Sequence, residues 1–159
     1  MKAVIQRVRH ASVEVDGQVI GSCGHGLMIL LGVANGDTWA EGDCLLQKIL
    51  KLRIFEDENG KMNRSIQDVG GEMLVISQFT LLANCRHGNR PDFLEAAKPD
   101  TAKALYEQFV DGASSVLSHV GHGEFGADMK VSLLNDGPVT IVLDTKDLKP
   151  TPKGVLANP

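Results

Sequence analysis

Gly26-Leu27-Met28-Ile29-Leu30-Leu31-Gly32-Val33 is an apolar run with no polar phase, bounded by glycines. It is too short for a helix that needs burial all round, and with no face to give to water it predicts a strand covered on both sides. Such a strand belongs in the middle of a sheet. A second strongly apolar strand is predicted over residues 72–82, Glu-Met-Leu-Val-Ile-Ser-Gln-Phe-Thr-Leu-Leu, where Ser77, Gln78 and Thr80 interrupt the apolar character.

The segments around these two runs have clear periods. Residues 4–9 alternate, with Val4, Gln6 and Val8 in one phase and Ile5, Arg7 and Arg9 in the other; Asp16-Gly17 then predicts a hairpin turn before Gln18-Val19-Ile20. From Asp37 or Thr38, either of which can cap, Leu45, Leu46, Ile49, Leu50 and Leu52 recur at helical spacing through Arg53. Pro99 suits a first turn, and Ala102, Leu105, Phe109, Ala113, Val116 and Val120 predict a second helix over residues 100–119. Residues 83–98 read as a loop. Residues 125–134 and 139–144 predict a closing strand pair around Asn135-Asp136-Gly137-Pro138, whose residue types suit a hairpin turn. The fold class is α+β, one domain over residues 1–145, with an irregular tail over residues 146–159.

Composition narrows the function. No apolar run approaches the roughly 18 residues of a membrane span, and the alternating first residues are not a signal peptide. Cys23, Cys44 and Cys85 are odd in number and widely spaced, which suits neither a disulfide framework nor a zinc site and predicts a reducing, cytoplasmic setting. A net charge of −4 disfavours a long phosphate-gripping track but allows contact with one nucleic-acid end.

Phosphate-loop, dinucleotide, metalloprotease and nucleophile-elbow motifs are absent. Cys85 and His87 lie too close in sequence to face each other productively, and His119 and His122 lack further ligands at metal spacing. Ser77-Gln78-Phe79-Thr80 has two readings. Its polar groups find hydrogen bonds in the core, or it is an acyl-transfer site in which Thr80 offers a hydroxyl and the N–H groups of Phe79 and Thr80 face an oxyanion. Gly137-Pro138 also has two. Only about 5% of X-Pro bonds are cis, which favours a plain turn; a cis bond would bring the Cα atoms to about 2.9 Å and aim two carbonyls together.

MKAVIQRVRHASVEV, GLMILLGV, RIFEDENGKMN, VISQFTLLA, RPDF, ALYEQFV and FGADMKVSLLNDGPVT, in that order, resemble the D-aminoacyl-tRNA deacylase family over residues 1–144. The resemblance implies a compact barrel-like antiparallel or mixed β structure with two flanking helices. It implies a homodimer with active sites at the interface, and hydrolysis, without metal or cofactor, of the ester between a D-amino acid or glycine and the tRNA 3′ end. Ser77, Gln78, Phe79 and Thr80 would form the catalytic wall. Gly137 and Pro138 would be a Gly-cisPro element that rejects L-amino acids from the partner's pocket. Arg86 and Arg90 are candidate tRNA phosphate contacts or simply solvated loop charges. Asp92, His122 and the tail depart from the family pattern. A non-catalytic RNA-end or small-ligand binding module and a conventional Ser/Thr esterase are the competing classes.

Overall fold

Strand β1 (Lys2–Val15) organises the sheet. One of its edges pairs antiparallel with β3 (Gly26–Gly32) over Lys2 to Val8, then with β2 (Gln18–Cys23) over Ala11 to Val15. The β1–β2 turn is the expected one, with Asp16 and Gly17 both at positive φ. The computed structural model describes residues 1–148. Beyond β3 come α1 (Trp39–Lys51), the small hairpin of β4 (Phe55–Glu56) and β5 (Met62–Arg64), and β6 (Glu72–Ser77). A 3-10 turn (Phe79–Leu82), α2 (Pro99–Ser114), β7 (Val120–His122) and β8 (Lys130–Asp144) follow.

The sheet runs β2-β1-β3-β6-β7, with β8 on the other edge of β1; β3, β6 and β7 are parallel and the remaining pairs antiparallel. β3 is central, as its apolar run requires. Leu27, Ile29 and Leu31 face the larger core under the helices, while Met28 faces a second core with Val8, Ala11, Val13, Leu74 and Ile76. The two cores lie on opposite faces of one curled sheet, which forms a nearly closed barrel of α+β class.

Glycines make the closure possible. A Cβ on Gly21 of β2 would lie 2.4 Å from the His122 carbonyl oxygen, and one on Gly121 of β7 would lie 2.5 Å from that of Ser22. The His119 ring nitrogen sits 2.7 Å from the same Ser22 carbonyl. The edge strands therefore meet backbone to backbone.

Thr38 caps α1 in a reciprocal box with Glu41, whose carboxylate accepts from Thr38 N at 2.6 Å, and Leu45, Leu46, Ile49 and Leu50 form its buried face. α2 buries Ala102, Leu105, Tyr106, Phe109, Val110 and Ala113 but ends at Ser114, short of the expected residue 119. Val120 leaves the helical phase to pair with Met73, and Val116 is exposed. Sheet pairing outweighs the continued spacing, which a helix and a short parallel strand share.

The expected closing hairpin does not form. β8 is one strand that pairs with β1 from Lys2–Asp144 to Glu14–Lys130, beginning at Lys130 rather than at residue 125. Its register passes from Gln6–Thr140 to Val8–Asn135, so residues 136–139 stand opposite Arg7 alone. The segment expected to turn at Asn135-Asp136-Gly137-Pro138 instead carries a wide bulge over residues 136–139. Of the expected tail, Lys146 and Asp147 belong to a 3-10 turn (Thr145–Asp147) and Leu148 packs on the larger core; residues 149–159 lie outside the described residues.

Gly121→Ala should lower unfolding stability by at least about 2 kcal/mol in urea denaturation, because backbone atoms cannot yield to the added methyl. Gln18→Ala, at an exposed site on the facing strand, should change it by less than about 0.5 kcal/mol.

Candidate active site

The Ser77-Gln78-Phe79-Thr80 stretch lies where β6 stops. Gln78 N still donates to Leu31 O at 2.8 Å, continuing the ladder with β3, and the chain then tightens into the 3-10 turn. Phe79 is 56% exposed, with its ring edge-on to Phe93 at a centroid distance of 5.0 Å. Thr80 is exposed as well, and its hydroxyl accepts from Gln78 Nε2 at 2.5 Å. The core hydrogen-bond reading of these residues is thereby corrected, because Ser77 and Gln78 are only half-buried and the Gln78–Thr80 bond is on the surface.

The turn also leaves donors free. Its own bonds run from Leu81 N to Gln78 O and from Ala83 N to Thr80 O, while Phe79 N and Thr80 N have no partner among the described residues. The first N–H groups of any helical turn lack internal acceptors. The turn starts beside a cavity of about 640 Å³, lined by Ser77, Gln78 and Phe79 on one side and Phe93, Tyr106, Phe125 and Met129 on others; Thr80, one residue on, is not part of that lining. Tyr106 donates to Val75 O at 2.8 Å, and burial pushes its phenol up to about 12, so it stays a neutral donor. Burial likewise pushes the Cys23 thiol, beneath the sheet, up to about 11. That thiol is inert at neutral pH.

No carboxylate or imidazole is hydrogen-bonded to Thr80 among the described residues. With Gln78 donating to it, the hydroxyl has its own proton to offer but no base to take it. The arrangement suits orientation and oxyanion stabilisation better than nucleophilic attack.

Gly137-Pro138 is a cis peptide, with Gly137 at φ 130°. Both residues are exposed on the bulge, and neither lines the cavity beside Ser77, Gln78 and Phe79. Within one chain the two motifs are therefore not brought together. Arg86 and Arg90 also lie outside the cavity lining, on an exposed loop pinned at its base by Asn84 and Asp92, whose N–H and carbonyl groups exchange bonds of 2.8 and 3.0 Å. Asp92 accepts from Leu94 N at 3.2 Å, a turn bond that a hydroxyl residue can also make. His122 bonds its own neighbour, Gly123 O, at 2.8 Å.

The residue that sequence reasoning missed is Arg7. It is only 6% exposed; its Nε donates to Asp136 O at 2.9 Å and its Nη1 to Ile54 O at 2.7 Å, so the guanidinium ties the bulge to the chain before β4. The signal was present in its sharing the phase of buried Ala3 and Ile5 on β1.

The family model for D-Tyr-tRNA(Tyr) deacylase matches residues 4–144. The chain belongs to the D-Tyr-tRNA(Tyr) deacylase family. It is 57% identical over 146 residues to a D-aminoacyl-tRNA deacylase of Clostridium tetani (strain Massachusetts / E88), covering 92% of this chain and 98% of that one. It is 54% identical over 146 residues to one from Thermosipho africanus (strain TCF52B), with the same coverage. A solved structure called c-Myc DNA Unwinding Element Binding Protein is similar at TM-score 0.86 and 44% identity, covering 91% of this chain and 98% of its own. A probable eukaryotic D-amino acid tRNA deacylase shares the fold at TM-score 0.74 and 16% identity, covering 89% and 97%.

In this deacylase Arg7→Lys should keep the charge but lose the fork that reaches two carbonyls at once. The expected result is a fall in kcat/KM of about tenfold or more at unchanged substrate and a lower melting temperature, read by steady-state assay and calorimetry.

Proposed function

We propose that this deacylase hydrolyses the ester that joins a D-amino acid, or glycine, to the 3′-terminal adenosine of tRNA, and spares L-aminoacyl-tRNA. The observation that carries the mechanism is the turn that starts at an apolar cavity: Phe79 lines the cavity, and the N–H groups of Phe79 and of Thr80 beside it are unbonded among the described residues. Developing negative charge on the ester oxygen would meet two fixed dipoles in a partly dry site, where such groups are worth most. Phe79, Phe93 and Phe125 supply flat apolar surface of the kind that holds a base, and Gln78 and Thr80 orient the ester. Water is the nucleophile, assisted by the neighbouring 2′-hydroxyl of the adenosine, and the protein contributes position and electrostatics. No metal or cofactor enters this reading.

Gly137 and Pro138 are the chiral gate. They present main-chain atoms on an exposed bulge, and a side chain of the L hand would collide with them where the hydrogen of a D-amino acid or glycine fits. Because they do not line the cavity of their own chain, the gate comes from a second copy, and the working unit is a homodimer with active sites at the interface. β8 supports this: among the described strands only β1 pairs with it, and it exposes Leu134 at 50% and Val142 at 72%. Long unpartnered edges with apolar side chains invite pairing. Arg86 and Arg90, exposed and in no ion pair among the described residues, are the proposed contacts for phosphates of the acceptor end. The substrate sets the enzyme in the cytoplasm.

The non-catalytic alternative predicts binding without turnover. Purified protein should release D-amino acid from D-aminoacyl-tRNA while the L counterpart stays charged; tRNA binding with no release would overturn the enzyme reading. Thr80→Ala should keep turnover within about tenfold, whereas a 2′-deoxy terminal adenosine should cost about 100-fold or more in single-turnover assays. Val142→Glu should give a monomer by light scattering and abolish turnover, since each site needs its partner's gate.

A further inference from the structure

The Asp136 carboxylate plays no part in the mechanism above, yet nitrogen groups from two elements converge on it. Its Oδ2 lies 3.6 Å from Arg9 Nε, 3.8 Å from Arg7 Nε and 3.9 Å from His25 Nε2. These separations are longer than hydrogen bonds, so the two guanidinium groups act on the carboxylate through their charge and the His25 ring as a polar neighbour, none of them by a directional contact. Arg7 is buried and Asp136 is 27% exposed, which makes Asp136 the counter-charge of a guanidinium whose hydrogen bonds go to neutral carbonyls. A buried cation facing dipoles alone would be poorly balanced.

The other two groups are placed by irregularities. The β1–β8 register shifts between Val8 and His10, so Arg9 is an unpaired extra residue of β1, and bulges re-aim the side chains they carry. His25 sits between β2 and β3 with its ring edge-on to Phe55 at 5.4 Å. Asp136 thus faces nitrogen groups of β1 and of the β2–β3 turn at once. It immediately precedes Gly137, so its position sets where the bulge leaves the sheet.

We propose that Asp136 is a positioning residue for selection by hand: its carboxylate, held by Arg9 and His25 and balancing Arg7, fixes how far Gly137 and Pro138 stand from the sheet. The inference rests on the reading that those two residues form the gate. It assigns Arg9 and His25 to specificity although both are exposed and neither lines the cavity. Exposed pairs contribute little singly, so the carboxylate on which they meet should dominate.

The test measures kcat/KM for matched D- and L-aminoacyl-tRNA in the wild type, Asp136→Asn, Arg9→Gln and His25→Gln, and in both doubles that contain Asp136→Asn, with a melting curve for each. Asp136→Asn should lower the D-over-L ratio about tenfold, mainly by raising L turnover, as expected for loss of one charge-assisted constraint. Arg9→Gln and His25→Gln should each lower it about twofold to threefold, and neither should lower it further once Asp136 is Asn, because they act through that carboxylate. An unchanged ratio in Asp136→Asn, or additive losses in the doubles, would overturn the proposal. Should Asp136→Asn fail to fold, the Arg9→Gln/His25→Gln double decides: a wild-type ratio overturns the proposal and a lowered one supports it. A wild type with no preference for the D hand would instead overturn the reading of the gate itself.

Discussion

The ladder between β1 and β8 is the constraint on which the remaining structure depends. It joins the first and last described strands over nearly the whole length of both, from Lys2–Asp144 to Glu14–Lys130. Because β1 spends its opposite edge first on β3 and then on β2, the same ladder spans both cores. The ladder breaks twice, at Arg7 and at Arg9, and both breaks lie beside Gly137 and Pro138. A regular strand there would have kept those residues in the plane of the sheet.

Burial follows from the same irregularity. Ala3, Ile5 and Arg7 are buried in one phase of β1, Val8 in the other, and Ala11 and Val13 return to the first. Arg7 is the costly member of that series, and its bonds to the carbonyls of Asp136 and Ile54 are what make a buried guanidinium tolerable. Those bonds also hold the bulge. Stability and the proposed gate thus converge on one side chain: one of the two carbonyls that satisfy Arg7 belongs to the bulge that carries Gly137 and Pro138.

The two motifs of the proposed site reach their positions by different means. Ser77 to Thr80 are placed by the end of a central parallel strand, where the ladder runs out beside a cavity and a 3-10 turn leaves N–H groups free among the described residues. Gly137 and Pro138 are placed by a bulge on an edge strand. One is a property of the strand's end and the other of a pairing mismatch. Neither needs a charged catalytic side chain, which fits a chemistry based on orientation and fixed dipoles.

Local residue pattern alone determined much of this protein. The unbroken apolar run at Gly26–Gly32 required a strand between two cores, Thr38 and Glu41 capped a helix whose period was legible, and Asp16-Gly17 specified the first hairpin. These are short-range effects, decided by side chains within a few residues of each other. Other features were settled only by distant pairing. Asn135 to Pro138 have the residues of a turn, yet residues 136–139 became a bulge, because both flanking segments found the same partner in β1. Val116 and Val120 continue a helical period, yet the chain left the helix so that Val120 could pair with Met73. Arg7 carries the phase of a buried residue, but what justifies burying it is the carbonyl of a residue 129 positions away. Pattern records which face a residue seeks; only the tertiary fold supplies the partner that makes a polar group acceptable there.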